Sequence, residues 1–153
     1  SNIEPEKMLV PLDWDQRHTL NATVTYHPVK NSGISLIYNF GSGLPYTAQF
    51  AEVRTSFENN ARKPSTMNVD MRSFINFNLS GIQFALHLNI YNLFDIRNEL
   101  YVFNDTGRST YTLVPIYTPQ VSGLGFNTLD QYLMSPADFS SPRQIKFGMS
   151  INF

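Results

Sequence analysis

The stretch NVDMRSFINFNLSGIQFALHLNIY, residues 68–91, decides the fold. Val69, Met71, Ile75, Phe77 and Leu79 alternate with Asp70, Arg72, Asn76 and Asn78. After Ser80-Gly81 the alternation resumes, with Phe84, Leu86, Leu88 and Ile90 set against Gln83, His87, Asn89 and Tyr91. Successive side chains of a strand point to opposite faces, so each half reads as a strand with one apolar and one polar face. Ser80-Gly81 is a two-residue connection of a favoured hairpin kind. Folding about it pairs Phe77 with Phe84, Ile75 with Leu86 and Met71 with Ile90, and it pairs Asn78 with Gln83 and Arg72 with Asn89. A slip of one residue would invert one strand's faces, so this agreement tests the register.

Three further strands carry the same period. Leu20, Ala22, Val24 and Tyr26 oppose Thr19, Asn21, Thr23 and Thr25; Ile34, Leu36, Tyr38 and Phe40 oppose Ser35, Ile37 and Asn39. At the chain's end Ile145, Phe147, Met149, Ile151 and Phe153 alternate with Lys146, Gly148, Ser150 and Asn152. The predicted strands lie near residues 17–27, 33–41, 68–79, 82–93 and 143–153. A turn from His27 to Gly33 keeps parity, pairing Tyr26 with Ile34 and Val24 with Leu36. The other two connections, residues 42–67 and 95–142, are long, a length uncommon in compact domains. Short and long connections alternate, so both long loops leave one end of the sheet. Residues 98–111 are expected to form an extra hairpin about Asn104-Asp105-Thr106-Gly107.

Composition narrows the class. Of 153 residues, 15% are charged against roughly 25% in ordinary soluble domains, while 14% are aromatic. The formal net charge is -1 and no basic stripe exists, which argues against a nucleic-acid partner. Cysteine is absent, which excludes disulfides, thiol catalysis and zinc-thiolate sites. No apolar run approaches the ~18 residues of a membrane helix. The opening Ser1-Asn2-Ile3 has no basic or apolar leader, as in a mature or excised chain. The face opposite the apolar one is rich in Asn, Thr, Ser and Gln rather than Lys and Glu. Tyr26, Tyr38, Phe40 and Tyr91 fall near strand ends, where an aromatic girdle would lie, and strands of about 9–11 residues match a tilted membrane crossing. The expected fold is all-β: about five antiparallel transmembrane strands, apolar side to lipid. Five strands cannot close a barrel, since the smallest has ~8, so the remaining strands are expected elsewhere in the parent protein.

Several motifs together carry a resemblance. The chain ends on an alternating strand closed by Phe153. Asn92-Leu93-Phe94-Asp95 ends a strand, Asn104-Asp105-Thr106-Gly107-Arg108 follows, and Pro142-Arg143 precedes the last strand. Asp15-Gln16-Arg17-His18 enters a strand, and Asn39-Phe40-Gly41-Ser42-Gly43-Leu44-Pro45-Tyr46 leaves one. From about Pro11 onward the chain resembles the last five strands of a TonB-dependent outer-membrane receptor of the kind common in Bacteroidota. That resemblance implies a ~22-stranded, plugged barrel. It also implies a bacterial outer-membrane location and import of a siderophore, glycan, cobalamin or peptide driven by the TonB–ExbB–ExbD complex. Upstream strands and a plug domain would be partners. Phe147, Met149, Ile151 and Phe153 would form the signal read by the barrel-assembly machinery.

No catalytic residue, metal ligand set or cofactor is expected. Arg17, Asp70, Arg72, His87, Asn89 and Lys146 are candidates for contact with a plug or a ligand on the polar face. Such charges more often pair with each other, and His87 more often is simply a polar lumen residue facing Phe74. Tyr46, Tyr101, Phe103 and Tyr111 in the long loops, with Phe50, Phe57 and Tyr117, are candidates for stacking on a ligand. Packing of loop on loop is the commoner role for such rings. Asn92 to Asp95 reads as a structural strand cap. Gly123 and Gly125 have no strand–glycine–helix context for a phosphate cradle. A barrel for adhesion or passive diffusion is an alternative, and a soluble β-sandwich a more distant one.

Overall fold

The computed structural model describes residues 8–113 and 134–153. In chain order its strands are β1 (Thr19–Tyr26), β2 (Ser32–Gly41), β3 (Pro45–Tyr46), β4 (Gln49–Phe50), β5 (Val53–Arg54), β6 (Ala61–Arg62), β7 (Thr66–Leu79), β8 (Ile82–Tyr91) and β9 (Gln144–Asn152). Among the described residues a 3-10 turn occupies Pro136–Asp138. Among the described residues no helix is long and apolar enough to cross a membrane, which says nothing of crossing by strands. The chain divides into two compact units. One, the sheet unit, comprises His18–Gly41, Met67–Arg97 and Ser141–Phe153; the other holds the long connections.

The sheet unit is a five-stranded sheet in the order β1-β2-β7-β8-β9. Its strands end within two residues of the bounds the periodicity predicts. The central register is Phe77↔Phe84, Ile75↔Leu86 and Met71↔Ile90, with Asn78↔Gln83 and Arg72↔Asn89 on the reverse. Ser80 and Gly81 both have positive φ, 53° and 86°, as a primed two-residue turn requires, and the Gly81 N–H donates to Asn78 Oδ1 at 3.1 Å. The Phe77 and Phe84 rings stack with centroids 5.2 Å apart. Tyr26↔Ile34 and Val24↔Leu36 fix the first hairpin, and Leu88↔Phe147 and Leu86↔Met149 fix the last. These pairings set apolar against apolar on one face and polar against polar on the other. No closure into a barrel occurs among the described residues: β1 and β9 are both edges.

Between β2 and β7 the Asn76 N–H donates to the Asn31 carbonyl at 2.8 Å, and the Phe74 ring covers Gly33. A Cβ on Gly33 would lie 2.6 Å from Phe74 Cε1 and 3.1 Å from the His27 ring, whose Nδ1 donates to the Ser32 carbonyl at 2.7 Å. Gly148, by contrast, has open space around it. Gly33→Ala is therefore expected to cost about 1–2 kcal/mol through overpacking. Gly148→Ala should stay within about 0.5 kcal/mol of neutral. Urea midpoints of the two variants in detergent check the contrast.

The second unit shows two departures from the sequence reading. Residues 42–67 are not a bare loop: β3 pairs with β6 (Pro45↔Arg62, Tyr46↔Ala61), and β4 pairs with β5 (Gln49↔Arg54, Phe50↔Val53). The β4–β5 turn is Ala51-Glu52, both at positive φ, 47° and 65°. Neither residue favours that conformation, so no turn signal was there to read. The hairpin expected over residues 98–111 does not form. Its turn exists, with the Gly107 N–H donating to the Phe103 carbonyl and the Phe103 N–H to the Arg108 carbonyl. Glu99, however, bridges to Phe139, and Leu100 and Tyr101 donate to the Asp138 carbonyl. Ser109 Oγ takes the Tyr101 carbonyl. The backbone groups a second ladder would need are already used.

Candidate functional site: a two-faced sheet

The apolar face of the sheet is open. Leu20, Val24, Tyr26, Ile34, Leu36, Ile75, Phe77, Leu79, Ile145, Phe147, Met149 and Ile151 are all exposed, from 40% at Ile34 to 69% at Phe147. Every residue of β1 and β9 is exposed, as befits strands open along one edge. Burying one such side chain is worth about 1.5–3 kcal/mol. A dozen of them, roughly half exposed, leave on the order of 10 kcal/mol unrealised in water. That equals the whole net stability of an ordinary domain, about 5–15 kcal/mol. Such a face belongs against an apolar medium.

The reverse face is polar and nearly uncharged. Asp70, Arg72 and Lys146 are the only charged side chains in its five strands. Thr25 and Ser35 share a hydroxyl hydrogen bond of 2.9 Å across β1 and β2. Arg72, Asn89 and Lys146 form one row over β7, β8 and β9, so the register brings together three of the six candidates read from the sequence. His87 lies next along the same face, opposite Phe74 as the sequence register placed it, with Gly148 on its other side. Lys146 Nζ sits 5.0 Å from the centroid of the Tyr91 ring. Tyr91 therefore belongs to the polar face, and the girdle expectation is corrected there: it cannot join an outward aromatic belt. Arg17 is also corrected. The strand expected from residue 17 begins at Thr19, so Arg17 lies outside β1, and its guanidinium reaches Asp15 at 3.8 Å.

Asp70 does structural work at the end of the sheet. Its Oδ1 accepts from Asn68 Nδ2 at 2.7 Å and from the Asn92 N–H at 2.9 Å. Asn92 itself is 7% exposed at φ 54°. Its Nδ2 donates to the carbonyls of Ile96 (2.9 Å) and Ser141 (3.0 Å), and its Oδ1 accepts from the Ile96 N–H at 2.8 Å. The Leu93 N–H donates to the Val69 carbonyl, and Asp95 Oδ1 accepts from the Arg143 N–H at 2.8 Å. Asn92-Leu93-Phe94-Asp95 thus fastens the start of β7, the end of β8 and the approach to β9. Asn and Asp suit the two left-handed positions and supply the side-chain bonds.

In the second unit the aromatic candidates are partly occupied. The Tyr46 hydroxyl lies against Gly107, whose φ of 68° and lack of Cβ admit it. Burial, and secondarily the Asp105 carboxylate, hold the Tyr46 hydroxyl above its ordinary pKa. Phe103 is half-buried at the turn. Tyr101 (68% exposed) and Tyr111 (48%) do face solvent, with Lys63 Nζ 5.9 Å from the Tyr101 ring. Tyr117, Gly123 and Gly125 lie outside the described residues. Sequence reading missed the residues that organise this unit. Asn59, 8% exposed, holds the Pro11 carbonyl and Asp13; Arg62 holds Asp15 at 2.5 Å; Glu99, 9% exposed, binds Arg108 at 2.6 Å and the Ser109 N–H at 2.6 Å. Only their three-dimensional partners mark them out.

The Arg108 guanidinium, and then the Ser109 N–H, hold the Glu99 carboxyl below its usual range, although burial opposes this. A carboxylate whose pKa falls on folding stabilises above its unfolded pKa, and that stability fades as pH drops through the folded value. Acidification from the ordinary carboxylate range down through the lowered Glu99 pKa should therefore loosen the 99–109 segment. A fall on acidification in the protection of the Ser109 amide, taken relative to its intrinsic exchange rate, and absent in Glu99→Gln, is the expected outcome.

Scanned against protein-family models, the curated proteins and the solved structures, the chain matches none significantly.

Proposed function

We propose that the sheet is a wall segment of a bacterial outer-membrane β-barrel of the TonB-dependent receptor kind. Its apolar face meets lipid and its polar face lines the lumen. One observation carries the reading: an apolar face in register across five strands, exposed on β1, β2, β7 and β9 and half-buried on β8, backed by a polar face with three charges. A soluble sheet would cover the first and solvate the second with ions. The free edges of β1 and β9 support it as well. In hydrocarbon each unpaired backbone group costs several kcal/mol, so further strands of the parent protein must pair with both edges. The long connections then serve the extracellular mouth, and the parent imports a nutrient through TonB coupling. The segment's own role is to wall and orient, not to catalyse.

Size and secondary structure with and without detergent test this. Aggregation in plain buffer, with a dispersed β-rich species in detergent, is the expected outcome. A monodisperse, β-rich monomer in plain buffer would sink the proposal, because Phe147 and its row would then be covered by protein.

A further inference from the structure

Charge is scarce on the polar face of the sheet, so the place of each charge is informative. Asp70 is engaged within the fold, its Oδ1 accepting from Asn68 Nδ2 at 2.7 Å and from the Asn92 N–H at 2.9 Å. Arg72 and Lys146 remain. Asn89 of β8 lies between them, opposite Arg72 of β7 on one side and Lys146 of β9 on the other. Among the described residues neither cation has an ion-pair partner. Two strand spacings, about 10 Å, separate their backbones, and side chains of this length reach over the strand between. Lys146 Nζ sits 5.0 Å from the centroid of the Tyr91 ring, which belongs to β8. The ammonium is thus tied to the middle strand and not to the free edge of β9. Next along β9 on the same face is Gly148, where a Cβ would meet no atom within 4 Å, so the row is open on that side.

We propose that Arg72, Asn89 and Lys146 form a seat for a small oxyanion, of which a phosphate group is the type. Charge complementarity is the first argument: two cations in one row, uncompensated by any acid there, match an anion of two charges. The second argument is the balance of donors and acceptors. Arg72 and Lys146 can only donate, and the Asn89 carboxamide oxygen is the row's one side-chain acceptor. A polypeptide segment brings an N–H for nearly every carbonyl and would leave those N–H groups without acceptors over this row. A phosphate dianion brings acceptors alone. The planar Arg72 guanidinium suits two of its oxygens at once, the Lys146 ammonium serves as a point charge, and the Asn89 amide donates from beneath. The seat follows from the register of β7, β8 and β9 and not from what covers the apolar face.

Inorganic phosphate tests the seat. It is titrated at constant ionic strength, balanced with sodium chloride, into the whole chain in whichever medium, buffer or detergent, keeps it dispersed and β-rich. Heat of binding and the side-chain amide resonances of Asn89 are followed together. The expected result is one saturable event with the same midpoint by both. Arg72→Gln and Lys146→Gln should each weaken it by about tenfold or more, the loss of one charge-assisted contact. Lys146→Arg keeps the charge and should bind where Lys146→Gln does not. Lys30→Gln removes an equal charge from the β1–β2 turn of the same unit and should leave the midpoint unchanged. Far-ultraviolet circular dichroism verifies the sheet in every variant. Absence of saturation overturns the seat. A midpoint indifferent to both Arg72→Gln and Lys146→Gln overturns it, since the anion would sit elsewhere. Equal weakening by Lys30→Gln overturns it too, because net charge alone would then account for the binding. None of these results touches the lipid-facing reading, which the comparison of buffer with detergent tests separately.

Discussion

Phe147→Arg is expected to destabilise the membrane-folded chain by about 2–4 kcal/mol, whereas Ser150→Arg on the opposite face of the same strand should change it by no more than about 0.5–1 kcal/mol. The first figure is the cost of a cation on the lipid face near mid-membrane, and it corresponds to a roughly thirty- to thousandfold loss of folded species. Phe147 is 69% exposed, opposes Leu88, and lies three residues from the start and five from the end of β9, in the interior of the apolar face. Ser150 opposes Ala85 on the polar face. In water the ranking disappears, because a charge at an exposed position costs little. Urea titration in detergent or vesicles reads both values. Equal small costs would remove the lipid from the account.

The second large effect lies at Asn92. Asn92→Ala removes three side-chain hydrogen bonds, each worth about 1 kcal/mol net, and leaves the Ile96 and Ser141 groups without them. It also places an alanine at φ 54°, which costs about 1–2 kcal/mol more. About 4 kcal/mol is expected in all. Asn92→Gly accepts the backbone conformation and should cost only the hydrogen-bond share. The gap between the variants isolates strain from bonding. Amide exchange at Leu93, Ile96 and Arg143 should quicken in both, since those groups are tied by the same turn. Exchange unchanged at Arg143 would mean that the turn does not fasten the approach to β9.

Much of the sheet was legible because its signals are local and redundant. Period two fixed the faces, and Ser80-Gly81 fixed the register of β7 on β8. A strand of one parity leaves its neighbour little choice when both have an apolar side. The second unit offered no such repetition. The β4–β5 turn uses Ala51 and Glu52 where Asn and Gly would have announced it. The expected hairpin over residues 98–111 had its turn but lost its ladder to Asp138, Ser109 and Glu99, partners that a local reading does not see. At the polar face, the hairpin register paired Arg72 with Asn89 and parity set Lys146 on the same face; the pairing of β8 with β9 completes the row. Placing Tyr91 in an outward girdle ignored the same parity, which sets it beneath Lys146. Asp70 was read as a possible ligand contact because charge is visible in sequence. That the Asn92 N–H and Asn68 already occupy it is not visible there.

The absence of cysteine permits the most direct measurement. Single cysteines are placed in turn at Ile145, Lys146, Phe147, Gly148, Met149, Ser150 and Ile151 of the vesicle-folded chain, and each is spin-labelled. Collision rates with oxygen, which concentrates in lipid, and with a water-soluble nickel chelate are then compared. The expected result is a period of two in opposite phase. Ile145, Phe147, Met149 and Ile151 should favour oxygen, while Lys146, Gly148 and Ser150 favour the chelate. Labels at Phe147 and Met149 that are shielded from both reagents, or open to the chelate, would contradict a lipid-facing sheet.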